Sequence, residues 1–151
     1  MIRLIDIDES NWLAAAKLCV APEQRGFVAD AIGILARGYV YRDCHARVWG
    51  IAHRHTLVGL ALVRGLDEEP ACYDLQQLLI DARYQSCGYG SQALCLILER
   101  LREERAYDCV EVCVKKEDAA ALHIYEKAGF VDTGYVDEGA PDSVNLMLYF
   151  D

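Results

Sequence analysis

The sequence is short of cations and of proline, has no Cys-x-x-Cys pair, and contains no apolar run approaching the ~20 residues needed to cross a bilayer. Each absence excludes something. Fifteen Lys plus Arg stand against 24 Asp plus Glu, a formal charge of −9 with no block of cations, which argues against a nucleic-acid-binding face. Three prolines, 54% hydrophobic and 26% charged residues exclude a disordered or low-complexity chain. Seven cysteines (19, 44, 72, 87, 95, 109 and 113) are odd in number and fit neither a disulfide framework nor a zinc ribbon. Reduced thiols and a cytoplasmic location are therefore the expectation. The opening Met1 to Asp8 alternates and carries carboxylates where an export signal needs a cationic flank and an apolar core, so no such signal is expected. A chain of 151 residues buries one core, and with no repeat or linker it reads as a single domain over 1–151. The acidic balance suits a cationic partner, with neither nucleic acid nor membrane expected; a homodimer stays open.

Periodicity orders the elements. Ile2 to Ile7 alternate as a half-buried strand, and Asp8 or Ser10 can cap a helix carrying Trp12, Leu13, Ala16 and Leu18. Pro22 ends it, and Phe27, Ala31, Ile34 and Leu35 repeat at helical spacing up to Gly38. Ala46 to Ala52 and Leu57 to Val63 read as a hairpin about His53 to Thr56, with Asp67 to Pro70 as its exit loop. Cys72 to Ile80 is a strand, Gly90 to Arg105 an amphipathic helix, and Tyr107 to Val114 a strand, so a right-handed crossover joins a parallel pair. Ala119 to Ala128 is a short helix ending at Gly129, and Phe130 to Tyr135 with Val144 to Phe150 forms a closing hairpin about Glu138 to Asp142. The class is α/β with a mixed sheet.

The segment Leu78 to Ser91 carries the chemistry: an apolar strand runs into a turn bearing Gly88 and Gly90 and then into a helix. Such a turn aims free N–H groups and the positive end of a helix dipole at one spot, which suits an anion, a phosphate above all. The loop lacks Gly-Lys-Ser/Thr, which disfavours a nucleotide-triphosphate P-loop, and lacks a third glycine with an acidic partner, which disfavours a dinucleotide fold. Together, Gln85-x-x-Gly88-x-Gly90 and Ala121-Leu122-His123-Ile124-Tyr125-Glu126-Lys127-Ala128-Gly129-Phe130 resemble the GNAT superfamily of N-acetyltransferases over essentially the whole chain. Val20 to Val28 and the closing hairpin look like its spermine/spermidine (diamine) branch.

The resemblance implies a mostly antiparallel sheet of about seven strands with a splayed parallel pair, flanked by about four helices, and acetyl-CoA as cosubstrate without a metal. It implies that Leu78, Leu79 and Ile80 hold the pantetheine arm through their backbone. Gln85, Ser86, Cys87, Gly88, Tyr89, Gly90 and Ser91 would take the pyrophosphate, with Asp118 and Lys127 also contacting the coenzyme. Tyr125 would be the acid that protonates the departing thiolate; its reference pKa of ~10 nearly matches that of a thiol. Glu23, Asp74 and Gln76 are candidates for recognising the amine. The chain departs from the family pattern at Ser86-Cys87, where a Gly-Lys-like pair is usual, and at Asp118, where an Asn commonly stands and could donate as a carboxylate cannot.

Other residues have plainer readings. Cys87 at a helix start is a small loop residue, His53 and His55 with Cys44 make poor zinc geometry, and Cys109 and Cys113 are strand hydrophobes. Acetyl transfer to a small polycationic amine, directly within a ternary complex, is the expected activity. Acetylation of a protein or peptide amine, or a non-catalytic acyl-CoA-binding module, are the alternatives. The general base is not identified by the sequence.

Overall fold

The protein is described here by a computed structural model covering all 151 residues. Seven strands, β1 (Ile2–Asp6), β2 (Arg47–His53), β3 (Thr56–Leu66), β4 (Cys72–Ile80), β5 (Cys109–Lys115), β6 (Val131–Asp132) and β7 (Ser143–Tyr149), form one sheet in the order β1-β2-β3-β4-β5-β7-β6. Every neighbouring pair is antiparallel except β4 with β5. Four helices accompany it: α1 (Trp12–Ala16), α2 (Ala31–Val40), α3 (Tyr89–Glu104) and α4 (Ala119–Lys127). This is the mixed architecture expected from the sequence.

The two faces of the sheet bury separate cores because strand side chains alternate. On one face Ala15, Leu18, Ala31 and Ile34 of the N-terminal helical segment pack on Leu60, Leu62 and Leu79. On the other, Leu94, Ile97, Leu98 and Leu101 of α3 and Tyr125 of α4 pack on Trp49, Ala61, Val63, Tyr73, Leu75, Val110 and Val112. Two β-bulges change the phase. The β3–β4 register passes from Leu62↔Gln77 to Val63↔Leu75, leaving Gln76 unpaired with β3. One extra residue reverses the alternation beyond it, so Leu75, Leu78 and Ile80 all belong to the α3 face and Leu79 to the α2 face. The β2–β3 register skips Val58 in the same way.

Two boundaries differ from the sequence expectation. Helix α2 begins at Ala31 and not near Phe27, because Asp30 accepts a hydrogen bond from the Gly33 N–H at 2.6 Å as an N-cap. The Ala29 N–H is meanwhile taken by Gln77 Oε1 at 2.9 Å, which leaves Phe27 in a turn closed on the Gln24 carbonyl and Val28 in the bend that follows. The closing hairpin is also shorter: β6 has two residues, since Gly134 turns at φ +77 and its N–H goes to Asp132 Oδ1. Tyr135 is thus outside the sheet, its carbonyl held by Asn145 Nδ2 at 3.0 Å.

Candidate active site

β4 and β5 are paired only at Tyr73↔Val110 and Asp74↔Glu111, and then diverge. Divergence begins where Gln76 bulges, because the added twist turns the following β4 residues away from β5. The gap opens a cleft of about 470 Å³ lined by β4, β5, the linker between α1 and α2, the turn before α3, and α4. Leu78 and Ile80 line it. Leu79 does not line it with its side chain, which is buried in the opposite core. Beyond Asp74↔Glu111, the side of β4 away from β3 carries peptide groups that no neighbouring strand takes up.

At one end lies the glycine turn. Residues 82–84 make a single 3-10 turn capped by buried Asp81, and Ser86 and Gly88 then take φ values of +63° and +81°. These left-handed residues curl the chain so that N–H groups from the turn and from the first turn of α3 converge at the head of a 16-residue helix. Gln85, Ser86, Gly88, Tyr89, Gly90 and Ser91 all line the cleft. Cys87 is exposed beside it, its thiol 3.5 Å from the Gln85 carbonyl. Lys127 is exposed and does not line the cleft, whereas His123, which the sequence reading passed over, does.

Tyr125 lines the cleft, 7% exposed, its ring edge-on to Phe130 at 5.3 Å between centroids. Burial, and secondarily the charge of Asp118, push its phenol well above the usual tyrosine range, so it keeps its proton at any ordinary pH. Asp118 also lines the cleft, where its carboxylate caps α4 by accepting from the Ala121 N–H at 3.2 Å. A cap needs only an acceptor, which an Asp supplies as well as an Asn. Gln76 lines the cleft at the bulge, and its buried Oε1 has no partner.

Val20, Gln24, Phe27 and Val28 of the linker line the cleft together with Gln76, Gln77 and Cys113, and Gln24 meets Gln85 of the glycine turn. Glu23 is exposed on the linker and does not line the cleft. Asp74 does not line it either; it pairs with Arg64 at 2.9 Å. Its carboxyl is nevertheless raised, because burial outweighs the arginine. Glu111, across the last β4–β5 pair, was missed by the sequence reading although a lone carboxylate within Cys109 to Val114 marks it. Burial raises its pKa first, and the charges of Asp74 and Asp137 add to this. The same three carboxylates raise the Cys113 thiol after burial does. Asp74, Glu111 and Asp137 thus form one negative field around Cys113, and none of the three lines the cleft.

His53 stacks on Tyr89 with centroids 5.0 Å apart. No group of three or more His, Cys, Asp or Glu is arranged to hold a metal ion, and no helix is long and apolar enough to cross a membrane.

Comparison with known proteins gives a family match and many structural likenesses. Residues 12–130 match the Acetyltransferase (GNAT) family. No curated protein matches the sequence significantly. The chain is similar to the ribosomal-protein-S18-alanine N-acetyltransferase of Escherichia coli, with 18% identity, 100% of this chain and 95% of that one covered, and a TM-score of 0.72. It is similar to a spermidine N-acetyltransferase of Vibrio cholerae solved in complex with CoA and spermine, with 16% identity, 98% and 95% covered, and a TM-score of 0.75. An acetyltransferase of Agrobacterium tumefaciens gives 12% identity, 98% and 90% covered, and a TM-score of 0.77. At these identities the likeness concerns the fold.

Proposed function

The chain belongs to the Acetyltransferase (GNAT) family, and on that footing we propose that it moves an acetyl group from acetyl-CoA to a primary amine of a small polycation such as a diamine, spermidine or spermine. The observation that carries the transfer reading is the splay of β4 from β5 beside a turn built to take an anion, with buried Tyr125 lining the same cleft. The turn suits the pyrophosphate, and the unpaired side of β4 suits the amides of the pantetheine arm. A β4 N–H at the thioester oxygen would stabilise the tetrahedral intermediate by about 3 kcal/mol.

The reaction is written as direct transfer. The amine nitrogen attacks the thioester carbonyl, the C–S bond breaks, and Tyr125 donates its proton to the leaving thiolate. Burial keeps the phenol protonated before transfer but also weakens it as an acid, so the near match to a thiol that an ordinary tyrosine offers is not kept and the donation runs uphill. An alkylammonium of pKa ~10.4 costs about 4.6 kcal/mol to deprotonate at pH 7. That proton passes to solvent water in the cleft; Glu111, raised by burial and by Asp74, lies outside the cleft lining and accepts from the Cys72 thiol. The cationic acceptor is supported by the field of Glu111, Asp74 and Asp137 and by the overall charge of −9, although Arg64 offsets part of the Asp74 charge.

A peptide or protein N-terminus is the second reading, favoured by Val20, Phe27 and Val28 on the acceptor side, which offer apolar surface to a side chain. Thiol release from acetyl-CoA should be measured with a panel of di- and polyamines, monoamines and short peptides. Turnover fastest with polyamines supports the first reading, and strong peptide turnover with none on polyamines replaces it by the second. Coenzyme binding without turnover on any acceptor would leave a non-catalytic acyl-CoA-binding protein.

A further inference from the structure

Resting on the reading of the glycine turn as the coenzyme pyrophosphate site, we propose that Gln24 and Gln85 form a clasp through which occupancy of that turn positions the acceptor-side linker. The two side chains exchange a reciprocal pair of amide hydrogen bonds. Gln24 Nε2 donates to Gln85 Oε1 at 3.1 Å, and Gln85 Nε2 donates to Gln24 Oε1 at 2.8 Å. Each is also fixed on its own side. Gln24 Oε1 accepts the Ala21 N–H at 3.1 Å, which closes the 3-10 turn Pro22–Gln24, while Gln85 Nε2 donates to the Ile80 carbonyl at 2.9 Å. The clasp therefore joins the middle of the linker to the junction of β4 and the anion-binding turn.

Two further ties hold the linker at its ends. The Cys19 N–H donates to buried Asp81 Oδ2 at 3.0 Å while the Ala82 N–H donates to the Cys19 carbonyl at 2.9 Å, and the Ala29 N–H donates to Gln77 Oε1. Between Cys19 and Ala29 the backbone bonds are local, Gln24 to Ala21, Arg25 to Pro22 and Phe27 to Gln24. Gln24 thus supplies the hydrogen bonds from the middle of the span to the rest of the fold, beside the packing of Val20 and Val28 on the α2-face core. Phe27 and Val28, three and four residues beyond it, line the acceptor end.

Gln85 precedes Ser86, whose φ of +63° is costly for a residue with a side chain. An anion seated on the N–H groups of this turn fixes its backbone, and with it the orientation of the Gln85 amide. A fixed Gln85 presents both of its hydrogen-bonding groups to Gln24, so loading the turn holds the linker and steadies the Phe27–Val28 wall. Gln24 is in this sense a positioning residue for the acceptor.

Amide hydrogen exchange on the full-length protein, with and without saturating CoA, tests the clasp. In the wild type CoA should slow exchange at residues 85–91 and also, by about fivefold for one net hydrogen bond, at residues 21–29. In Gln24→Ala the slowing at 21–29 should vanish while that at 85–91 persists. Gln24→Glu, which retains both acceptor bonds but sets a carboxylate oxygen against Gln85 Oε1 in place of the donor, should recover only part of it. Gln24→Ala and Gln85→Ala should be non-additive at 21–29, the double variant being no worse than either single one. A wild-type response confined to 85–91, or an undiminished response at 21–29 in Gln24→Ala, overturns the clasp alone. No response at 85–91 in the wild type overturns the coenzyme reading and the clasp with it.

Discussion

Tyr125 and Asp81 show how burial sets the role of single side chains. The Tyr125 ring is packed against Phe130 and its phenol is raised by burial, so Phe substitution should keep the packing and remove only the proton. We expect Tyr125→Phe to lower kcat by about a hundredfold or more with CoA affinity little changed, read by steady-state kinetics and calorimetry. Because the phenol stays protonated, the wild-type rate should show no alkaline limb from Tyr125 up to about pH 10. Asp81 illustrates the opposite balance. Burial pushes its carboxyl up, yet hydrogen bonds from the Arg83 side chain and N–H and from the Cys19 N–H prevail and leave it below the ordinary range. A lowered carboxylate stabilises the fold above its unfolded pKa, and the contribution disappears as pH falls through the folded value. Asp81→Asn should therefore cost about 1–3 kcal/mol at neutral pH, with the gap in melting temperature from wild type closing below about pH 4.

The elements were legible in the sequence to different degrees. Strands β2, β3 and β4 and helix α3 announce themselves by period, because their apolar residues face cores that must be filled. Bulges leave no such mark. Nothing in Leu75-Gln76-Gln77-Leu78 says that one glutamine is skipped by β3, because the skip depends on partners far along the chain. The α2 start differs for a related reason: Phe27 stands at helical spacing from Ala31, and the Gln77 tie with the Asp30 cap keeps it outside the helix. Gly59 is where β3 admits β4 most closely, since a Cβ there would press on the Leu79 carbonyl and on Ile80. We expect Gly59→Ala to destabilise the fold by about 1–3 kcal/mol and to weaken CoA binding, because the displaced backbone leads directly into the cleft. A melting temperature equal to wild type would refute this.

The molecule as a whole carries −9, and this charge is not spread evenly over the two functions of the cleft. The turn proposed for the pyrophosphate offers backbone N–H groups, while Glu111, Asp74 and Asp137 form a negative field outside the cleft lining. Screening should consequently act on the acceptor. The Debye length falls from about 10 Å at 0.1 M salt to about 3 Å at 1 M, so KM for a triamine should rise several-fold over that range while KM for a monoamine changes little. Equal salt dependence for both would remove the steering argument.

By itself the sequence determined the α/β class, the glycine turn with its tyrosine helix, and the likeness to the acetyltransferases, since these depend on local periodicity and short spacings. Tertiary structure alone decided the splay of β4 from β5, the removal of Glu23 and Lys127 from the cleft wall, the pairing of Asp74 with Arg64, and the meeting of Gln24 with Gln85. These rest on bulge phase and strand register, which bring together residues as much as 61 positions apart and leave no periodic trace in the chain.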